Sequence, residues 1–252
     1  MSLLHYLIAA VLITSVTKKN VTTNIKDFKN VGVIENTFAH TAGSMVVIND
    51  GSWILTCTHV FKDTNGNIAP LNNFLVSLGE YSGEVEEIYP HPTADIALCK
   101  LKKGTGLTGP ILSRKVLGKD TEIWLTGYGF GGEIVGDESV KYNQHFGNFG
   151  VCTNKIDDIF TLNKSIVALY SVSVNKNSTE HEGIIGFGDS GGGVFIYNND
   201  KIELVGISMA ISGEFISETT ILSPQGLFIP IHGLYTWIND TIRKNSPPVD
   251  FY

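Results

Sequence analysis

The chain has 252 residues, with 18 lysines and arginines against 25 aspartates and glutamates, so its net charge is −7 at pH 7. This acidic balance, without a long basic run, argues against a nucleic-acid surface or a patch for anionic membranes. Only 17% of the residues are charged, 27 are glycine and 42% are hydrophobic. The composition excludes a disordered chain and favours a turn-rich β protein over a helical bundle.

An apolar run, LLHYLIAAVLI, occupies residues 3–13. It is shorter than the roughly 20 apolar residues that cross a bilayer, and its length is typical of the hydrophobic part of a signal peptide. We therefore expect residues 1–17 to be a cleaved signal and the protein to be secreted, without stable membrane insertion afterwards. A buried first strand or helix is the alternative interpretation. Residues 18–30 are interpreted as a propeptide or N-terminal extension.

Short apolar runs separated by turn residues predict strands along most of the chain. Hairpins are predicted where Asn49-Asp50-Gly51 and Asn198-Asn199-Asp200 separate such runs. Apolar residues recur at helical spacing only near the end, from Leu234 to Ile242. We therefore predict an all-β fold with one closing helix. The predicted strands are 44–48, 53–56, 95–101, 121–126, 193–197 and 202–207.

Three segments together supply the groups that nucleophilic hydrolysis needs. His59 follows an apolar strand in ILTCTH, Asp95 begins another in DIALCKL, and Ser190 lies in the glycine-rich turn GDSGG. A serine hydroxyl is a weak nucleophile, so it needs a base and a group that orients the base. Each residue alone is also typical of an ordinary turn or strand end, but their combination indicates a base, an orienting carboxylate and a nucleophile. The glycines allow backbone N–H groups to approach a developing oxyanion.

These segments resemble the histidine, aspartate and serine segments of the chymotrypsin/trypsin-like serine endopeptidases. Thr126-Gly-Tyr-Gly129 is similar to that family's Gly-Trp-Gly turn, and residues 235–242 to its C-terminal helix. The resemblance covers residues 31–245 and implies a single protease domain. Its expected parts are two packed antiparallel β-barrels, residues 31–115 and 116–232, and a helix over 233–245.

The resemblance also implies a role for each residue of the site. His59 would act first as general base and then as general acid, Asp95 would orient it, and Ser190 would be acylated. The backbone N–H groups of Gly188 and Ser190 would form the oxyanion hole. The family's disulfides beside the histidine and around the serine loop are missing, because Val60 follows His59 and no cysteine lies near Ser190.

The resemblance places the substrate backbone along Ser208, Met209 and Ala210. The floor of the pocket for the residue before the scissile bond would be Ile184, beside Ile185. These side chains carry no charge that could pair with Lys or Arg, so apolar residues are expected there. Ala210 narrows the pocket entrance, which favours small or medium aliphatic residues, while Gly226 leaves depth for Leu or Phe.

Activation and partners follow from the same resemblance. Asp189 stands where relatives pair an aspartate with an N-terminal amine freed by cleavage, and Val31-Gly32 is the nearest candidate for such a start. Protein or peptide substrates and protein protease inhibitors are the expected partners of a monomer that binds no nucleic acid. No cofactor or metal is expected, because no metal-binding motif occurs. The three cysteines, an odd number, indicate a fold without disulfides.

Two other functions fit parts of the sequence. GDSGG also matches the nucleophile elbow of α/β-hydrolase esterases, with Asp200 and His232 as formal partners, but that elbow needs a helix after the serine. A protease-like fold that serves only as a binding or regulatory module is the second alternative. Such a module would leave the serine unreactive.

Overall fold

The computed structural model of the protein describes residues 25–63, 65–135, 139–143, 148–160, 169–174 and 179–246. The predicted signal peptide, residues 1–17, lies outside this part of the chain. None of the helices in the described ranges is long and apolar enough to cross a membrane.

The first half of the chain forms a closed antiparallel barrel of six strands. Their bounds are β1 Val31–Asn36, β2 Thr41–Ile48, β3 Trp53–Thr56, β4 Phe74–Leu78, β5 Tyr81–Pro90 and β6 Ala97–Leu101. They pair in the order β1-β2-β3-β6-β5-β4, and β4 closes onto β1. Asn49 and Gly51 take positive φ angles of 55° and 86° in the turn between β2 and β3, conformations that suit these two residue types. The first predicted hairpin is therefore confirmed.

The second half forms a ten-stranded sheet that curls into a half-barrel. Its central path runs through the hairpin of β14 and β15, which confirms the second predicted hairpin. The strands are β7 Ile111–Leu112, β8 Glu122–Gly127, β9 Gly132–Val135, β10 Ser139–Tyr142, β11 Gly150–Lys155, β12 Asp158–Phe160, β13 Leu169–Ser173, β14 Gly193–Asn198, β15 Lys201–Ser217 and β16 Thr220–Pro230.

The chain passes from the barrel to the second sheet between β6 and β7. β7 pairs in parallel with Glu203 and Leu204 of β15, so it belongs to the second sheet. The domain boundary near residues 115–116 stays a prediction. The closing helix, α1 Ile231–Asn245, begins two residues before its predicted start at 233, because it follows β16 directly and buries Ile231.

One apolar core joins both halves to the closing helix. It contains Trp53 of the barrel, Phe195 and Ile229 of the second sheet, and Leu234 of α1. Phe28 is also 1% exposed in this core, with its ring centroid 5.3 Å from that of Phe195. The predicted domain start at residue 31 therefore does not coincide with an edge of the packed body. The all-β fold with a C-terminal helix is confirmed.

Candidate active site

His59 and Asp95 are brought together by two neighbouring strands of the barrel. β3 pairs with β6, with Thr56 opposite Ala97. His59 lies in a 3-10 helix, Thr58–Phe61, just after β3, and Asp95 lies two residues before β6. His59 Nδ1 is 2.5 Å from Asp95 Oδ2, and the His59 backbone N–H donates to Asp95 Oδ1 at 3.0 Å. The two contacts fix both the position and the rotation of the imidazole.

Asp95 is the ionised member of this pair. Burial alone would raise the pKa of Asp95, but the hydrogen bonds and charge of His59 outweigh it and hold the pKa below its ordinary value. Whenever the imidazole carries a single proton on Nδ1, an ionised Asp95 accepts that N–H, which leaves Nε2 as the free acceptor. The His59 side chain is 11% exposed and Asp95 32%. The pair can therefore take a proton from a group placed near Nε2.

Ser190 lies in a tight turn between the barrel and the second sheet. Gly188 and Gly191 on either side of it have φ angles of 94° and 93°, a region that favours glycine. Ser190 is 3% exposed, and its Oγ donates to the carbonyl oxygen of Met209 at 3.1 Å. The imidazole Nε2 of His59 makes no hydrogen bond within the described residues. The structure thus joins His59 to Asp95 and leaves the Ser190 hydroxyl on a different acceptor.

The turn leaves two backbone N–H groups unused. Those of Asp189, Gly191 and Gly192 each donate to a carbonyl oxygen at 2.6–3.2 Å, whereas those of Gly188 and Ser190 donate none within the described residues. These are the two groups that the sequence assigns to the oxyanion hole. Free N–H groups beside a nucleophile can stabilise the negative charge that forms when it attacks a carbonyl.

The side chain of Asp189 connects the serine turn to the turn after β8. Its side chain is completely buried, and its two oxygens accept from the N–H groups of Gly129 and Gly186 at 3.0 Å each. Burial raises the pKa of Asp189 to about 8 against the opposing effect of the Gly129 N–H. No cation of the described residues pairs with it. Val31, the predicted new N-terminus, is instead a paired residue of β1, and processing near residue 30 stays a prediction.

The predicted pocket residues also lie together. Ile184 and Ile185 are 0% and 2% exposed, and a Cβ added at Gly226 would lie 2.8 Å from Ile185 Cγ1 and 3.0 Å from Ile184 Cγ1. The isoleucines therefore fill the space in front of Gly226. The expectation that Gly226 leaves depth for Leu or Phe stays a prediction.

The segment predicted to hold substrate backbone lies where the pairing of β14 with β15 ends. Ser208 is buried, and Met209 and Ala210 are half-buried on β15. β14 pairs with β15 only as far as Ile207, and the N–H and carbonyl oxygen of Ser208 are bonded to Gly192 and Gly191 of the serine turn. Beyond Ser208, no strand of the described chain pairs with this edge. An open edge can accept an extended peptide as an additional strand.

Cys57, His59 and Asp95 are the only group in the described residues whose ligand atoms cluster closely enough to hold a metal. Burial raises the pKa of the Cys57 thiol well above its ordinary value, and the thiol lies 3.1 Å from the Ser208 carbonyl oxygen as its donor. A neutral thiol is a poor metal ligand. Cys57, Cys99 and Cys152 are all buried and free, as the sequence predicts.

Ser44 is a residue of the site that sequence reasoning missed. It was only the first residue of a predicted strand, yet its side chain contacts the serine turn through Gly188 and the turn after β8 through Tyr128. These partners are 144 and 84 residues away. No local pattern around Ser44 could therefore have indicated the role.

The surroundings of Ser190 exclude the esterase alternative. The nucleophile elbow of α/β-hydrolases passes from a strand into a helix. Ser190 is followed by β14, Gly193–Asn198, and then by the hairpin into β15. The formal partners of that alternative, Asp200 and His232, lie in that hairpin's turn and in α1.

Comparison with known proteins identifies the family. The model of the trypsin-like peptidase domain matches residues 43–207, about two thirds of the chain, and this range contains the histidine, aspartate and serine segments. No curated protein matches the chain. The chain therefore belongs to the trypsin-like peptidase domain family.

Proposed function

We propose that the protein is a serine endopeptidase that hydrolyses peptide bonds through an acyl-enzyme intermediate. The observation that carries this proposal is the His59–Asp95 pair, held at 2.5 Å, in the same molecule as a serine turn with two free N–H groups. The family membership supports a peptidase, and the residues named here supply the chemistry.

The reaction begins with the Ser190 hydroxyl turning from the Met209 carbonyl towards His59 Nε2. His59 takes the proton while Ser190 Oγ bonds to the substrate carbonyl carbon, whose oxygen becomes an oxyanion beside the N–H groups of Gly188 and Ser190. The intermediate collapses, His59 gives its proton to the departing amine, and the acyl group stays on Ser190. Water then attacks this ester by the same route, so that the acid and free Ser190 are formed.

We further propose that the enzyme prefers small aliphatic residues before the scissile bond. Two observations support this preference: Ile184 and Ile185 offer no charge, and they fill the space in front of Gly226. Burying a lysine or arginine against them would leave its charge unpaired, at a cost of several kcal/mol. A peptide-library profile tests this, and dominant cleavage after Lys or Arg would contradict it.

The activity is tested by hydrolysis of an unfolded protein by the purified chain and its variants. His59→Ala and Ser190→Ala should each lower kcat by several orders of magnitude, and the double variant should lose little more. Ser113→Ala is the control, because Ser113 is also a buried serine (3% exposed), bonded to Glu203 instead of a site residue. Additive losses in the double variant would show that His59 and Ser190 do not act as a unit.

A catalytically inactive binding module is the second candidate. The observation that favours it is the Ser190 hydroxyl on the Met209 carbonyl, away from His59. Catalytic hydrogen bonds are often formed only when substrate is bound, so this geometry fits a resting enzyme as well. Covalent modification of Ser190 separates the two candidates.

We also propose that the protein is exported as a monomer after removal of residues 1–17. The apolar run of residues 3–13 supports this proposal. N-terminal sequencing of protein from a secreting host should begin near residue 18, and sedimentation should give the mass of one chain. An intact Met1 on exported protein would contradict signal cleavage.

A further inference from the structure

The proposed oxyanion hole consists of two peptide groups whose carbonyl oxygens each accept a hydrogen bond. The N–H of Gly188 belongs to the peptide whose oxygen is that of Phe187, and this oxygen accepts from the Phe130 N–H at 2.9 Å. The N–H of Ser190 belongs to the peptide whose oxygen is that of Asp189, which accepts from Gly192 at 2.6 Å. Because N–H and C=O point in opposite directions across a trans peptide, these bonds direct both N–H groups away from the turn's interior.

The next oxygens along the turn are held from the other half of the molecule. Ser44, on β2 of the barrel, donates its hydroxyl to the Gly188 carbonyl oxygen at 2.9 Å and its backbone N–H to the Ser190 carbonyl oxygen at 2.9 Å. The peptide between Gly188 and Asp189 links the two peptides of the hole. Turning it would break the bond to Ser44 and reorient both neighbours.

Ser44 is itself rigidly placed. It is completely buried, its Oγ accepts the Tyr128 N–H at 2.9 Å, and its carbonyl accepts the Thr56 hydroxyl at 2.8 Å. A serine hydroxyl that both donates and accepts has one orientation that satisfies both bonds. The Gly188 carbonyl is therefore held by a group that cannot rotate without losing a partner.

We propose that Ser44 is a positioning residue that holds the Gly188–Ser190 backbone in the conformation of the oxyanion hole. The proposal rests on the proposed endopeptidase function, and it assigns a role to a side chain on the opposite half of the molecule. Ser44→Ala removes the hydroxyl and leaves the Gly188 carbonyl and the Tyr128 N–H without their partner. The serine turn can then reorient while the His59–Asp95 pair stays intact.

The first test is kinetic. Ser44→Ala should lower kcat by about tenfold to a hundredfold and should change KM by less than about twofold. The expected loss in kcat is at most similar to the loss that follows removal of one oxyanion-hole donor. A peptide boronate, which places an anionic oxygen in the hole, should lose affinity by the same factor as kcat/KM. A cleaved product peptide should bind unchanged. Equal losses for boronate and product, or unchanged kcat, would overturn the proposal.

Ser113→Ala is the matched control. Its hydroxyl likewise donates once, to Glu203, and accepts a backbone N–H, that of Lys115. Both variants remove a buried serine hydroxyl with two partners, so both should lower the melting temperature. Only Ser44→Ala should change kcat. If the two variants lose the same fraction of kcat, the effect is one of stability and the proposal is wrong.

Amide hydrogen exchange reads the same role without any turnover. In Ser44→Ala, exchange should become faster in residues 127–131 and 186–191 and stay unchanged around His59 and Asp95. Thr56→Val, which removes only the bond to the Ser44 carbonyl, should give a smaller effect in the same segments and keeps the test open if Ser44→Ala does not fold. If Ser44→Ala exchanges faster in these segments but the wild type has no peptidase activity, only the endopeptidase function is refuted. If Ser44→Ala exchanges like the wild type, the role of Ser44 is refuted.

Discussion

Gly127 is the position where a single methyl group should disable the site without touching a reacting atom. A Cβ added there would lie 1.9 Å from Asp189 Oδ1 and 2.7 Å from Asp189 Cγ. Carbon atoms essentially never approach so closely, so the Asp189 carboxyl must move by roughly 1 Å or more in Gly127→Ala. This carboxyl stabilises the serine turn by accepting hydrogen bonds from Gly129 and Gly186.

The size of the effect follows from the bonds that such a shift breaks. The N–H groups of Gly129 and Gly186 each lie 3.0 Å from an Asp189 oxygen, and a further 1 Å puts them beyond hydrogen-bond distance. Leaving buried N–H groups unpaired costs about 1–3 kcal/mol for each, so the variant should lose about 2–6 kcal/mol of stability. A displaced hole should also lower kcat by about a hundredfold or more.

The assay is urea unfolding together with peptide hydrolysis by the same preparation. Gly118→Ala is the control, because a Cβ at Gly118 meets no atom within 4 Å, and it should behave as wild type. Activity of Gly127→Ala within about threefold of wild type would refute the reasoning, because it would mean that Asp189 can move without disturbing the hole.

Three further predictions concern charge, cysteines and the first described segment. The pKa of Asp189 in the folded protein, about 8, lies above that of an unfolded aspartate, so the folded state favours the protonated carboxyl. The stability that this carboxyl contributes is therefore present at low pH and is lost as pH rises towards 8. The unfolding free energy should therefore fall by up to about 1.4 kcal/mol per pH unit between about pH 5 and 8, relative to Asp189→Asn; parallel curves would contradict this. Melting temperatures with and without reductant should agree, because the cysteines are free; a large drop would show a disulfide. Phe28→Ala should cost about 3–5 kcal/mol in urea unfolding, and a cost below 1 kcal/mol would place Phe28 outside the folded body.

The sequence was most informative where local patterns decide the structure. Asn49-Asp50-Gly51 predicted its hairpin because the positive φ angles there suit only a few residue types. His59 and Asp95 were assigned to one site by the resemblance of their segments to a known family, and the structure shows that they flank the paired strands β3 and β6. The apolar spacing from Leu234 to Ile242 predicted the helix, and the family resemblance extended it to 233–245, two residues short of its start at Ile231.

The remainder depends on contacts that no local pattern carries. Ser44 reaches Gly188 across 144 residues, and the pairing of β7 with β15 joins residues about 90 apart. The surroundings of Gly226 are a further example, because the absence of a side chain there does not show which residues pack against it. In the structure these are Ile184 and Ile185.

The most direct test of the central claim is covalent labelling of the folded chain with a fluorophosphonate, followed by mass mapping of the modified peptide. The account predicts one adduct, on Ser190, that is lost in Ser190→Ala and strongly slowed in His59→Ala, while Ser113→Ala labels like wild type. Labelling elsewhere, or none on a chain shown to be folded, would contradict a serine endopeptidase and favour the inactive binding module.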